Sequence, residues 1–428
     1  MNSCQFCDKK NIKRLDTHIR NAHKDILRGT SSAKKQKLGM GYDGRNFREA
    51  RYMTVQPRNL QKDGGNLLFI YTGSEQWVDL SATKLKLALK VVKKDGSAIG
   101  PAPTVYPIQA LHSTIWDRAH VEINNKLVDY PAQPQYTNYL NLLLGTSQET
   151  KNTTLRSIGY MSVADRKAMI KNSRTVNFFG PFMSDIFQQQ GSLLPPQTDI
   201  RINLNAADPK FVLINAGDDA TDYTFEIVDI ELHFRVLEPN EIATITSPVR
   251  IPIGRRLITM NSILRGQQHY TRQDLSGGRD LPQRVYVAFV ASSAFLGDKS
   301  QDPFALQKYN IKSIALSKSG VDVMGPPYFP TGSMVREYIS LKEVVGVSGI
   351  TLKEFDTSST VFAFQVDARR ECAAAANGGK AVGGSPEGGD LSLNIEFNAA
   401  TTANLEMVVM CEYAETVTIS ANKEVMMQ

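Results

Sequence analysis

From about residue 51 to the end of the chain, apolar and polar positions alternate in short runs separated by turn residues. Side chains along a strand point to opposite faces with a period of two, so these runs predict half-buried strands. Leu85-Lys86-Leu87-Ala88-Leu89-Lys90-Val91 sets four apolar residues on one face and Lys86 and Lys90 on the other. Ile200, Ile202 and Leu204 alternate in the same way. Phe225 and Ile227 begin another alternation, after which the phase flips to Val228, Ile230, Leu232, Phe234 and Val236. A one-residue change of phase inside a long strand predicts a β-bulge. Val121 to Val128 reads as a tight hairpin whose Asn124-Asn125 can take the positive φ that a short turn requires. Val285, Val287 and Phe289, then Leu391 to Phe397, then Leu405, Met407 and Val409, and finally Val417 and Ile419 repeat this texture.

Helical signals are few. Tyr136 to Leu144 is one short candidate, and Ser162 with Asp165 in the first turn opens a second, to about Lys171. Ser333 to about Val345, stopped by Gly346, is a third. Between Ala373 and Asp390 a run of four alanines precedes six glycines, which predicts a flexible exposed loop, with a functional apical loop as the other reading. The predicted fold is therefore all-β, with two consecutive β-rich halves of about 180 residues, a size that suits jelly-roll sandwiches with long loops. The expected boundaries are 1–27 for a zinc-finger-like head, 28–50 for a flexible basic linker, 51–240 for the first jelly roll and 241–428 for the second.

Composition narrows the function. The 428 residues are 42% hydrophobic and 21% charged, which is globular rather than disordered. No apolar run approaches the ~18 residues of a membrane span, and the first ten residues lack the apolar core of a signal peptide. Four cysteines do not make a disulfide scaffold. Charge is unevenly placed: residues 1–51 hold 13 Lys/Arg against 5 Asp/Glu, whereas the rest hold 36 against 38. A basic head on a near-neutral body suggests a polyanionic partner for the head; a solvated tail is the plainer reading.

The head also carries the best local motif. Cys4-x2-Cys7-x10-His18-x4-His23 has the ligand types and outer spacings of a two-Cys, two-His zinc site. Thiolate and imidazole suit tetrahedral Zn²⁺, with Leu15 and Ile12 as the small core. The motif resembles zinc fingers, but its Cys-to-His gap is 10 residues rather than ~12, and Ile12 stands where an aromatic is usual. Lys9, Lys10, Lys13, Arg14, Arg20 and Lys24 surround it, and Lys34, Lys35 and Lys37 follow on the linker. Mobile cations neutralise phosphates without reading sequence, so packing or tethering nucleic acid is the functional expectation. A protein-binding finger and a nuclear-import signal around Lys34 to Lys37 are the alternatives.

Catalytic constellations are missing. Gly39 to Gly44 matches GxGxxG, but no strand precedes it and no amphipathic helix follows. His112, His120, His233 and His269 form no HExxH or H-x-H pair, and His233 should point to the polar face of its strand. Cys372 and Cys411 are isolated, and Asp218-Asp219 reads as a turn. The body is expected to be structural, not enzymatic.

Three segments of the body resemble one family. They are Leu111-His112-Ser113 with Val121–Val128 and Tyr136-x2-Tyr139-Leu140-x-Leu142-Leu143; Asp302-Pro303-Phe304 with Tyr309-Asn310; and Arg336-Glu337-Tyr338-Ile339-Ser340-Leu341. Their order resembles the major capsid proteins of Polinton/Maverick-type elements and adintovirus-like viruses, double jelly-roll proteins of the adenovirus-hexon lineage. Where the family often has Tyr-Pro-Tyr before its first helix, this chain has Gln135-Tyr136-Thr137. The resemblance spans about residues 66–421 and says nothing of the finger. It implies homotrimeric, pseudo-hexameric capsomers that meet neighbouring capsomers and penton or minor capsid proteins in an icosahedral virion. Assembly would be in the host cell, with the nucleus as one candidate compartment, and the basic head would meet genomic DNA. A cellular nucleic-acid-binding regulator with a finger and a β-sandwich effector domain is the competing reading. A jelly-roll lectin is a weaker one, because Trp77 and Trp116 suggest no glycan cleft.

Overall fold

The computed structural model describes residues 47–189, 191–217, 221–240, 247–277, 280–330, 334–367 and 389–427. The expected zinc ligands, the basic residues of the head and linker, the Gly39–Gly44 stretch, Asp218-Asp219, Cys372 and nearly all of the Ala373–Asp390 segment lie outside the described residues. The chain divides into two units, Met1–Phe47 and Arg48–Gln428, and the sandwiches belong to the second.

In chain order the first half contributes β1 (Phe47–Val55), β2 (Leu67–Tyr71), β3 (Trp77–Lys93), β4 (Tyr106–Pro107), β5 (Trp116–Ile123), β6 (Lys126–Asp129), β7 (Val176–Pro181), β8 (Leu193–Leu194), β9 (Ile200–Ala206), β10 (Leu213–Ile214) and β11 (Tyr223–Pro239). The second half contributes β12 (Val249–Ile263), β13 (His269–Arg272), β14 (Arg284–Ala291), β15 (Ile311–Lys318), β16 (Val321–Asp322), β17 (Phe362–Gln365), β18 (Leu391–Phe397), β19 (Leu405–Ile419) and β20 (Val425–Met427). β1 opens four residues ahead of the expected 51.

Two sheets face each other in each half. The first half stacks β1-β11-β3-β7 on β2-β9-β5-β6, with β8 added to β3 and β4 pairing only β10. The second stacks β12-β19-β14-β17 on β13-β18-β15-β16, with β20 added to β19. Counting only the eight principal strands of each half, both halves have the same order, 1-8-3-6 over 2-7-4-5. That is the jelly-roll order, and it occurs twice.

The local chemistry explains the strands. Leu85, Leu87, Leu89 and Val91 on β3 and Phe225, Ile227, Ile230, Leu232 and Phe234 on β11 are buried between the sheets. The β11–β3 register slips between Ile227 and Asp229, where the phase change predicts a bulge. Val228 differs from expectation: it is the extra residue and points to solvent, not to the core. Asn124 and Asn125 take φ of 47° and 62° in the β5–β6 turn. The Ser162 hydroxyl accepts the Asp165 N–H and caps helix Val163–Met169, which ends two residues before the expected stop. Helices Pro134–Gly145 and Val335–Val345 fill the same place in the two halves, between the fifth and sixth principal strands. Among the described residues no helix is long and apolar enough to cross a membrane.

The two sheets of order 1-8-3-6 differ on their outer faces. In the first half that face carries Lys84, Lys86, Glu231 and His233 and is half-exposed. In the second half it is buried, with Tyr286, Ala288 and Val290 on β14 and Glu406, Val408 and Met410 on β19. From the first half, helix Pro134–Gly145 and the Asp185–Phe187 turn pack against β12 of this sheet.

Candidate functional site

The seam where the sandwiches meet brings together buried charged and aromatic side chains from both halves of the chain. It has an aromatic part and an ionic part.

The aromatic part joins two segments singled out in the sequence. Helix Pro134–Gly145, opened by Pro134, is buried around nearly all its circumference. Its Tyr136 hydroxyl donates to the Pro303 carbonyl at 2.9 Å, and burial pushes that phenol's pKa well up. Phe304 stacks on Tyr139 with ring centroids 4.2 Å apart and meets Tyr136 edge-on at 5.5 Å. Phe211 completes the cluster. Asp302 accepts the Phe304 N–H at 2.9 Å, which fixes the shape of the Asp-Pro-Phe turn. Each such ring pair contributes about 0.5–1.5 kcal/mol beyond its buried area.

The ionic part centres on Arg255 and Arg256, consecutive in the edge strand β12. The Arg255 guanidinium donates to Asp129 at 2.7 Å, to Glu415 at 3.0 Å and to the Val128 carbonyl at 2.5 Å. Asp185 accepts the Arg256 backbone N–H at 2.8 Å and its guanidinium at 3.1 Å. A hydrogen-bonding group on the free edge of β12 is thereby satisfied by the other sandwich. Glu412 lies between Arg256, at 3.5 Å, and Arg284, at 3.2 Å. Asp129 also accepts the Asp185 N–H at 2.7 Å and the Ser184 hydroxyl. Burial and the neighbouring Asp129 carboxylate push the Asp185 carboxyl up to about 7, against the pull of Arg256 and Arg255. Buried ion pairs add little net stability, because desolvation offsets their attraction, whereas the loss of one partner leaves a buried charge uncompensated.

Smaller contacts extend the seam. Asn124 in the β5–β6 turn donates to the Lys423 carbonyl at 2.9 Å, and Gly349 donates to the Thr146 carbonyl at 2.7 Å.

The remaining expectations resolve one by one. His233 sits on the outer face of β11, half-buried, near Thr54 and Glu231. His112 is fully buried: one ring nitrogen lies 2.9 Å from the Leu85 carbonyl, and burial lowers its pKa to about 4. It is a core histidine, and Asn138 bonds the adjacent Ser113 carbonyl at 2.7 Å. Cys411 is buried, its thiol pushed up to about 12 and therefore unreactive. Trp77 and Trp116 are core residues. Among the described residues no group of three or more His, Cys, Asp or Glu side chains is placed to hold a metal ion. Sequence reasoning missed the whole ionic seam. The available signal was Arg255-Arg256 set between the apolar runs Ile251-Pro252-Ile253 and Leu257-Ile258.

Solved structures give the repeated strand order its context. A chain of the Sputnik virophage aligns with a TM-score of 0.62 and 12% identity, covering 91% of this chain and 89% of its own. The fold is the double jelly roll of viral major capsid proteins. The mavirus major capsid protein matches with a TM-score of 0.55 and 12% identity over 90% of this chain and 93% of its own. A chain of the PBCV-1 virus capsid matches at 0.57 and 10% identity over 91% and 98%. The mavirus and PBCV-1 matches are capsid structures. No protein-family model matches the sequence. An uncharacterized protein of Caenorhabditis elegans is 19% identical over 339 residues, which are 70% of this chain and 78% of that protein.

Proposed function

We propose that the chain is a major capsid protein of the Polinton/Maverick and adintovirus type, which builds an icosahedral shell from homotrimeric, pseudo-hexameric capsomers. The observation that carries this reading is the strand order 1-8-3-6 over 2-7-4-5, present twice and shared over about nine-tenths of the chain with virophage and capsid structures. The seam supports it: two sandwiches locked in one orientation make a rigid brick, which is what a shell requires of its subunit. Capsomers would meet one another and a penton or minor capsid protein, and the protein would reside in the virion.

The head has its own role in this proposal. Cys4, Cys7, His18 and His23 hold one structural Zn²⁺, and the surrounding lysines and arginines contact packaged DNA through its phosphates.

Light scattering of the purified full chain, with negative-stain microscopy, tests the capsid reading. Three copies per particle and hexagonal outlines are expected. A monomer or dimer at all concentrations would overturn it and favour the regulator with a β-sandwich effector domain.

A further inference from the structure

Buried arginines in this chain are paired, with one exception. Arg255, Arg256 and Arg284 each reach a carboxylate, at 2.7, 3.1 and 3.2 Å. Arg166, on helix Val163–Met169, is just as buried, at 4% exposure, yet it makes no ion pair among the described residues. Its Nη1 donates to the Pro107 carbonyl at 2.7 Å, and its Nε has no hydrogen-bond partner. The Nε–Nη2 edge of a guanidinium grips a carboxylate or a sulfate through two parallel bonds, and in Arg166 no described protein group takes that edge. An uncompensated buried charge is costly, which marks Arg166 as a functional candidate.

The groups around it suit one class of ligand. The Arg166 guanidinium lies over the Tyr106 ring, 5.1 Å from its centroid, and the Lys167 ammonium approaches the same ring at 5.4 Å. Asp302, Tyr139 and Tyr160 act on the Arg166 charge from neighbouring segments. Tyr106, Tyr160, Lys167 and Asp302 are half-buried and so border solvent. Phenols, a carboxylate, an ammonium and a guanidinium form a hydrogen-bonding set with aromatic faces. Such a set fits a polyhydroxylated ring that carries one anionic group. Two cations beside Asp302 are too few for a nucleic-acid strand, which needs a run of them. The cluster stands at the end of the first sandwich where β3 pairs Lys93 with Tyr223 of β11; just beyond it, the Ser173 hydroxyl accepts the Ile99 N–H at 2.8 Å. β1 begins beside Glu238, at the other end of these 17-residue strands, about 50 Å away.

We infer that Arg166 anchors a binding site for an acidic saccharide, whose carboxylate or sulfate takes the free Nε–Nη2 edge while the sugar ring lies against Tyr106. Hydroxyls of the sugar meet Tyr160, Lys167 and Asp302. Lys167, on its flexible stem, swings aside to admit the ligand and then closes over it. Asp302 accepts a hydroxyl but repels further negative charge, so the site favours a sugar with a single anionic group. The site does not depend on the capsid reading. Under that reading it lies at the end of the sandwich away from the start of β1 and the head that precedes it.

The test uses the full chain, with sialyllactose, sulfated lactose and lactose as probes at millimolar concentration in saturation-transfer NMR and calorimetry. At least one of the two anionic sugars should bind about tenfold or more tighter than lactose, and the tighter of the two identifies the anionic group. Arg166→Lys keeps the charge but loses the two-bond edge; it should weaken that binding about tenfold or more, with an unchanged circular dichroism spectrum. Asp302→Asn keeps an acceptor for the Phe304 N–H and removes the repelling charge. It should tighten the anionic sugars about threefold and leave lactose unchanged, and it tests the site even if Arg166→Lys fails to fold. If neither anionic sugar binds, or lactose binds as well as they do, the site is wrong. Undiminished binding by a folded Arg166→Lys variant removes Arg166 as the anchor. Inorganic sulfate binding as tightly as sulfated lactose overturns the saccharide assignment. None of these outcomes bears on whether the chain forms trimers, which light scattering reads separately.

Discussion

At the scale of single residues, the seam decides more than any other group. Arg256 serves two buried acids, Asp185 and Glu412, through its main chain and its guanidinium. Removing it leaves both carboxylates buried with one partner fewer. Arg256→Ala should therefore destabilise the folded chain by about 3–5 kcal/mol in chemical denaturation. The pH response carries two opposite signs. His112, lowered to about 4 from 6.5, refuses a proton that the unfolded chain accepts, so its contribution is lost as pH falls through that window. Asp185, raised from 3.8 to about 7, holds a proton that the unfolded chain releases, so its contribution is lost as pH rises between those values. Melting curves from pH 4 to 8 should show Asp185→Asn gaining on the wild type as pH increases. A gap between the two that does not change with pH would mean that Asp185 does not titrate there.

At the scale of elements, pattern and contact divide the work. The β11 bulge was legible because Ile227 and Ile230 cannot lie on one face of a regular strand. That Val228 would be the outward residue was not legible, because an apolar side chain at a bulge gives no sign of its direction. The Asn124-Asn125 turn was legible from residue type alone. Gly349 was not. Its N–H reaches Thr146, and a Cβ there would lie 2.5 Å from the Gln148 nitrogen and 2.6 Å from the Ser147 carbonyl carbon. Both are backbone atoms that cannot swing aside. Gly349→Ala should cost about 1–3 kcal/mol, visible as a lowered melting midpoint, because it forces the helical segments of the two sandwiches apart.

At the scale of the whole molecule, the basic head and the neutral body make separable demands. A peptide of residues 1–27 has almost nothing to bury but Leu15 and Ile12, so metal ligation must supply its folding free energy. It should bind one Zn²⁺ and gain helix on doing so; Cys4→Ser should abolish the gain, and Lys9→Ala should leave it. Cobalt substitution should give a tetrahedral thiolate spectrum, and its absence would remove the zinc site. Deleting residues 1–46, which spares β1, should remove salt-sensitive, sequence-blind DNA binding while leaving the trimer intact. Unchanged DNA affinity at moderate salt would end the tether proposal and leave a protein partner for the finger.

The chain's own pattern settled the all-β class, the two successive β-rich halves and the positions of turn and cap, because burying one face of a strand and satisfying a tight turn are local demands. It also marked Tyr136, Tyr139 and Phe304, through family resemblance, without saying that they touch. Tertiary structure decided that they stack, that Arg255 and Arg256 meet Asp129 and Asp185, and that one sheet's outer face is covered while its counterpart lies open. These residues are more than a hundred positions apart or on different sandwiches. No local periodicity encodes which buried charge will find which partner; only the docking of one folded sandwich on the other brings them within hydrogen-bond reach.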